Sequence, residues 1–403
     1  MADTTGVSSS GSEGVYFDNL KAAPQIKAAL WSVWILFLLA GLVGMGQRMF
    51  YGHLPAGYGS YVPWGLWIAL YFHGVGMAGG VFALAALGHL LDLPGFQHRS
   101  FIRLAIILSF AAMLPALLGV FLDMGHMELA YRVLTSPNFT SMMAFNAWMY
   151  NAFIVIAAVC WYLSYKEKTE WLKPFLVAGV FFCAIIPSQS GAFFGVVGAK
   201  ESWNSAILPI LFLVSAITSG AALLLLVKTL IGPSKKSADG MKDEYGYHQV
   251  LKNLRIVVIG GMAAYFILEW AEFSISYWNP GGHSGSLDLI LFGPYWWVFW
   301  IVHLILGGVL PLLLLISKRE GLWAIGASLV AVMFVSVRLN VLIPGQAVSE
   351  LSGLQEAFQH PRLTYIYNAT AMEYFIGLFM VALGMAIFYV GRRVNLAATK
   401  WFQ

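Results

Sequence analysis

Charge is the scarce component of this chain: Asp, Glu, Lys and Arg make up 10% of its 403 residues, against 59% hydrophobic residues and a mean hydropathy of +0.74. That balance excludes a soluble globular protein, which carries about 25% charged residues. Cysteine is nearly missing. Cys160 and Cys183 both lie in apolar stretches, and no CxxC spacing or Cys/His cluster occurs. Zinc or an iron–sulfur cluster held by this chain alone is thereby excluded, so electrons passing through it need a metal on another subunit. Runs of Lys/Arg interleaved with exposed aromatics are lacking too, and the formal net charge of +4 therefore does not point to nucleic acid. The first 27 residues, opening MADTTGVSSSGSEG, have no apolar core of the signal-peptide kind and read as a flexible cytoplasmic tail.

Apolar runs and aromatics are abundant. With 15 Trp, 18 Tyr and 28 Phe, the composition suits a chain anchored at two water–lipid interfaces. Roughly 20 apolar residues cross the hydrocarbon core, and the sequence predicts ten spans, near 28–47, 64–91, 101–124, 144–165, 172–190, 205–231, 254–277, 294–316, 321–342 and 371–391. Pro187 and Ser188-Gln189-Ser190 interrupt the fifth. Alternating sides through ten spans puts eighteen of the 23 Lys and Arg on one face; Arg48, Arg132, Lys200, Arg338 and Arg362 remain on the other. The positive-inside rule then places both termini in the cytoplasm. The charged, turn-rich stretch IGPSKKSADGMKDEYGYHQ reads as a linker between two halves. LDMGHM at 122–127 echoes LEWAEF at 268–273, and WYLSYKEK at 161–168 echoes LLLISKRE at 313–320. A four-helix offset preserves orientation, as in parallel repeats.

Ionisable groups inside a bilayer are functional-site candidates by default. Here they gather in the outer half: His73 in the second span, Asp123 and His126 at the end of the third, Glu269 and Glu272 in the seventh, His303 in the eighth, Arg338 with Asn340 in the ninth. Asn146 and Asn151 open the fourth span, Gln189 closes the fifth and Glu373 opens the tenth. Asp123 with His126 and Glu269 with Glu272 are i, i+3 pairs on one helical face. A buried carboxylate beside an imidazole can share a proton near neutral pH. Three plainer readings stand beside this one: Asp123 and His126 as a helix cap, Glu269 bridged to Arg338, and His73 with His303 as haem ligands of a b-type cytochrome. The outer connection MELAYRVLTSPNFTSMMAFNAW, with Arg132, reads as a connector, a cap over the site or a docking surface for an extrinsic partner.

YVPWGLWIALYFHGVGMAGG in the second span, Asp123-Met124-Gly125, SPNFTSMMAFNAW, and SGAFFGVVGAKESWNSAILPILFLVSAITSG together resemble the membrane subunit of polysulfide reductase and its relatives, the NrfD type. The resemblance implies an all-α integral membrane protein of ten helices. Helices 2–5 (64–204) and 6–9 (205–342) would form two four-helix bundles. A peripheral helix with its loop (28–63), and an outer loop with a tenth helix and cytoplasmic tail (343–403), would flank them. It implies a haem-free quinone oxidoreductase subunit taking menaquinone or ubiquinone. Its partners would be an extrinsic ferredoxin-like iron–sulfur subunit and, beyond that, a molybdopterin-type enzyme or multihaem cytochrome. Carried over by position, the quinone-site groups fall on His73 and Asp123, with Gly125 in the following turn. Where the family has Gly-Arg-Pro this chain has Gly125-His126-Met127, so the arginine's contact falls to His126 or Arg132. Tyr131, Asn146, Trp148 and Tyr150 are placed to line the ring. Glu269, Glu272, His303 and Arg338 are the expected proton path. A bacterial inner membrane with the site near the periplasmic side completes the expectation, and a non-catalytic membrane anchor is the remaining alternative.

Overall fold

In a computed structural model, residues 24–166, 170–200, 202–233, 244–278, 284–351, 353–357, 360 and 363–402 are described. The expected N-terminal tail up to residue 23, most of the charged linker, and Lys168 and Arg362 of the charge tally lie outside the described residues.

Hydrocarbon offers the backbone no hydrogen-bond partner, so an apolar run that enters it closes its bonds within a helix. Ten helices among the described residues are long and apolar enough to cross a membrane. They are α1 (Pro24–Tyr51), α2 (Leu66–Leu90), α3 (Arg99–Asp123), α4 (Met142–Leu163), α5 (Leu172–Gly195), α6 (Leu208–Ile231), α7 (Glu244–Trp278), α8 (Val298–Ile316), α9 (Glu320–Ala347) and α10 (Ala371–Phe402). The chain is an all-α integral membrane protein.

Packing sorts the helices into two rings. In one, α2 lies on α3 and α5 while α4 lies on α5 and α3; in the other, α6 lies on α7 and α9 while α8 lies on α9 and α7. The pair α1–α10 rests outside, on α3, and only 11% of the apolar stretch of α1 is buried against 78% in α2. The rings meet at α2 and α6, where small residues let the backbones touch. A Cβ added to Gly80 would stand 2.2 Å from the Ala216 carbonyl oxygen, and one on Gly220 2.5 Å from the Gly80 carbonyl carbon.

Several boundaries differ from the sequence expectation, each for a local reason. α7 begins at Glu244, inside the stretch read as linker, because Gly246, Val250 and Leu251 bury on one side of its first turns. α10 continues through Arg392 and Arg393, positions read as tail, and just beyond them Asn395 is buried and accepts from the Tyr165 hydroxyl. α5 runs unbroken through Pro187. The first part of α8, Val298–Val309, winds as a π-helix ahead of Pro311, which has no N–H to give the preceding turn. α9 is interrupted at Phe334, where the Ser336 hydroxyl donates to the Met333 carbonyl at 2.6 Å. The short helix Ser284–Leu291, not expected from sequence, follows the end of α7 and packs on α9 and α7.

Candidate functional site

The last carbonyls of a helix have no partner within it, and at the end of α3 Arg48 of α1 takes them up. Its Nε donates to the Leu122 carbonyl at 2.8 Å and its Nη2 to the Met124 carbonyl at 3.0 Å. The same Nη2 lies 2.9 Å from His53 Nε2, and His53 Nδ1 is hydrogen-bonded to the Tyr58 hydroxyl. Arginine only donates, so Nε2 accepts, and Nδ1 carries the ring hydrogen and gives it to the Tyr58 oxygen. Burial and then the Arg48 cation lower the His53 pKa, which keeps the ring neutral. Burial, reinforced by the Asp123 and Glu373 carboxylates, pushes the Tyr58 hydroxyl up, which keeps it protonated.

The fourth wall of this nest is the start of α10. Glu373 is fully buried; its Oε1 accepts from the Gly57 N–H at 2.7 Å and the Thr370 N–H at 3.3 Å, and its Oε2 accepts from the Tyr367 hydroxyl. Trp67 of α2 packs with Leu122 and Tyr58, with the His53 ring stacked at 6.4 Å and the Tyr58 ring edge-on at 5.6 Å. Two buried atoms here have no hydrogen-bond partner among the described residues: Asp123 Oδ1, an acceptor, and Trp67 Nε1, a donor. Orphans of this kind mark a place for a water, an ion or a ligand.

A second polar cluster occupies the α6–α9 ring. Glu269 Oε1 accepts from the Tyr265 hydroxyl at 2.8 Å, and its Oε2 lies 3.0 Å from His303 Nε2. His303 Nδ1 in turn lies 2.9 Å from Ser336 Oγ. The Ser336 hydroxyl hydrogen goes to Met333, so Nδ1 donates, and a single proton occupies the line between Glu269 and His303. A cavity of about 60 Å³, bordered by Glu269, Tyr265, Glu272 and Asn340, has room for a few waters. Glu272 takes the Ser205 hydroxyl at 2.9 Å. Arg338, 2% exposed, stacks on the Phe212 ring at 3.7 Å and donates Nη2 to the Phe212 carbonyl at 3.2 Å. Its Nε and Nη1 have no partner among the described residues.

The structure divides the expected site residues. Glu269, Glu272 and His303 lie near one another, with Arg338 packed on α6 near the seam with α2. His73 and Asp123 do not meet. His73 Nε2 is bonded to the Ala331 carbonyl of α9 at 2.7 Å, toward the second ring. A Cβ on the neighbouring Gly74 would touch Ala116, and Asp123 lies seven residues farther along α3, about 10 Å of helix rise. Gly125, His126, Tyr131 and Arg132 are exposed on the connection between α3 and α4, His126 pairing with Glu128 at 2.8 Å. Trp148 donates to the Val133 carbonyl at 2.9 Å, Asn146 is buried with Oδ1 unpartnered among the described residues, and Tyr150 meets Tyr71 at 2.6 Å. Glu269 pairs with His303 rather than bridging to Arg338. Both His303 nitrogens and His73 Nε2 are engaged in hydrogen bonds, which does not suit the haem-ligand reading.

Arg48, His53, Tyr58, Trp67 and Tyr265 were not picked out as site residues from sequence. The available signals were an arginine left on the sparsely basic face, the His- and Tyr-rich loop YGHLPAGYGSYVPWG, and a tyrosine four residues before Glu269 on the same helical face.

Residues 56–350 match the model of the family described as polysulphide reductase, NrfD. The chain is 28% identical to a selenate reductase subunit of Mesobacillus selenatarsenatis, over 91% of this chain and 93% of that one. It is 24% identical to the Hdr-like menaquinol oxidoreductase integral membrane subunit of Archaeoglobus fulgidus, over 89% and 91%, and 24% identical to protein NrfD of Escherichia coli, over 70% and 95%. With the family model covering most of its length, the chain belongs to the NrfD/polysulphide reductase family of membrane subunits.

Proposed function

We propose that this chain is the quinone-reactive membrane subunit of a multi-subunit oxidoreductase, exchanging electrons between the quinone pool and an extrinsic iron–sulfur subunit. The observation that carries the reading is the pair of buried orphans at the outer end of the first ring, Asp123 Oδ1 and Trp67 Nε1. A quinone head group both accepts and, when reduced, donates hydrogen bonds, so an acceptor and a donor in one aromatic nest fit it. The bound quinone, menaquinone or ubiquinone, supplies the two-electron, two-proton redox couple. The chain's own residues bind and orient it: Trp67 Nε1 holds an oxygen of the ring, Asp123 gives or takes a proton at Oδ1, and Arg48 fixes the end of α3 that carries Asp123. The relatives named for selenate reduction and menaquinol oxidation favour the same role.

Electrons leave through a partner. The ferredoxin-like iron–sulfur subunit, with a molybdopterin-type enzyme or multihaem cytochrome beyond it, docks on the outer connection, where Tyr131, Leu134 and Phe139 are exposed. The excess of Lys and Arg on the opposite face supports a bacterial inner membrane with both termini in the cytoplasm and the site toward the periplasm. In this arrangement residues 64–204 carry the quinone site. Residues 205–342 carry a proton path through Glu272, Glu269 and His303, with Arg338 and His73 at the seam between the rings.

The test is quinol-linked turnover in membranes containing the assembled complex, with menadiol as donor. Asp123→Asn is expected to lower turnover about 100-fold or more at normal assembly, and Trp67→Phe is expected to raise KM. Wild-type turnover in Asp123→Asn would refute the reading.

A further inference from the structure

The hydrogen bonds around Tyr58 run in one direction. Arg48 donates to His53 Nε2, so His53 Nδ1 donates to the Tyr58 oxygen, and the Tyr58 hydroxyl hydrogen is left to be given onward. The carboxylates within its electrostatic reach are Asp123 and Glu373. Glu373 already takes hydrogens from Gly57, Thr370 and Tyr367, whereas Asp123 Oδ1 is buried with no partner among the described residues. His53 and Tyr58 are both partly exposed and stand in the loop that closes the outer end of the ring. Exchangeable hydrogens thus run from the outer water to Tyr58, whose hydroxyl lies within electrostatic reach of the Asp123 carboxylate without a direct hydrogen bond to it, a gap for a bridging water at the unpartnered Oδ1.

We propose that His53 and Tyr58 form the proton relay between Asp123 and the outer aqueous phase. The proposal rests on the quinone-site reading of Asp123 and extends it to residues of the 52–65 loop. Inward, His53 Nε2 first takes a proton from water as the Arg48 contact opens; Nδ1 then gives its proton to the Tyr58 oxygen while the Tyr58 hydroxyl proton passes through a bridging water to Asp123 Oδ1. A flip of the neutral imidazole then returns the ring hydrogen to the Tyr58 side and a bare nitrogen to Arg48, and the reverse sequence releases a proton outward. No electron moves in these steps. The groups facing the relay are Arg48 from α1, Asp123 from α3 and Glu373 from α10. Arg48 does more than brace the helix end: by donating to Nε2 it selects the tautomer whose Nδ1 hydrogen points inward.

The experiment measures menadiol-driven turnover of the assembled complex in membranes for His53→Ala, His53→Gln, Tyr58→Phe and Asp123→Asn, with kcat and KM separated between about pH 6 and 8. General acid–base groups contribute about 100-fold or more. The relay therefore predicts that His53→Ala and Tyr58→Phe lower kcat at least about tenfold with KM unchanged. Added imidazole restores His53→Ala, because it can occupy the vacated space and shuttle protons, and does not restore Tyr58→Phe. Wild-type kcat in both variants, or a loss in His53→Ala that imidazole leaves untouched, overturns the relay. If His53→Ala fails to assemble, Tyr58→Phe decides the question, since it keeps the ring packed on Trp67. Inactive Asp123→Asn alongside unaffected relay variants removes the relay alone; active Asp123→Asn removes the quinone-site reading and the relay with it.

Discussion

Removing the imidazole of His303 leaves Glu269 facing a low-dielectric interior with Tyr265 as its remaining hydrogen-bond donor among the described residues. His303 is 0% exposed and Glu269 7%. The lost groups are the 3.0 Å contact to Glu269 and the 2.9 Å contact to Ser336. The ring packing against Tyr265, Phe266 and Phe299 is lost as well. Breaking a buried pair by deleting one partner costs about 3–5 kcal/mol, so His303→Ala is expected to destabilise by that amount. Glu269→Gln keeps the volume and a carbonyl for Tyr265 and should cost about 1 kcal/mol. With both changes together no stranded carboxylate remains, and the sum should fall short of additivity by about 1.5–3 kcal/mol, the range for hydrogen bonds to charged groups. Unfolding in detergent can be followed with a thiol-reactive dye, because Cys160 and Cys183 are 0% and 3% exposed and react only once the first ring opens. Tryptophan emission, from 15 residues spread over both rings and the flanking helices, follows the whole transition in parallel. Additivity within about 0.5 kcal/mol would refute the claim that the two side chains hold one another.

Overpacking the seam should separate the rings: Gly80→Leu drives a side chain into the Ala216 carbonyl and is expected to cost about 1–3 kcal/mol or more, read as a lower midpoint in the same unfolding assay. The clamp on the end of α3 should weaken in acid. His53 has a folded pKa below its ordinary 6.5, so the unfolded chain binds the proton first, and stability falls as pH drops below about 6.5. His53→Gln should remove that component of the pH profile, and an unchanged acid limb would contradict it. Arg48→Gln leaves the Leu122 and Met124 carbonyls at the end of α3 without their cation. It should cost about 1–3 kcal/mol and lower quinol-linked turnover, measured at matched complex content. The chain expressed without partners should show no Soret band, since the nitrogens a haem iron would need on His303 are both hydrogen-bonded.

The grouping of Glu269, Glu272 and His303 was legible because depth along a span can be counted from sequence, and residues at equal depth in neighbouring helices tend to meet. The same counting failed for His73 and Asp123. Depth in one helix says nothing about azimuth, and His73 turns toward Ala331 while Asp123 lies beyond the level of Ala116. The nest around Asp123 was hidden for a related reason. Its members come from α1, from a loop and from α10, segments far apart in the chain that converge only after α1 and α10 pack together on α3.

Composition and the spacing of apolar runs by themselves determined that the chain crosses a membrane ten times as helices, because in hydrocarbon a backbone has no other economical way to satisfy its hydrogen bonds. Which ionisable groups share a proton, which carbonyl each cation covers, and which buried atoms are left without a partner were decided by the close approach of α2 to α6 and the docking of the α1–α10 pair on α3. Those are matters of helix rotation and side-chain contact, and a linear pattern of hydropathy carries no information about either.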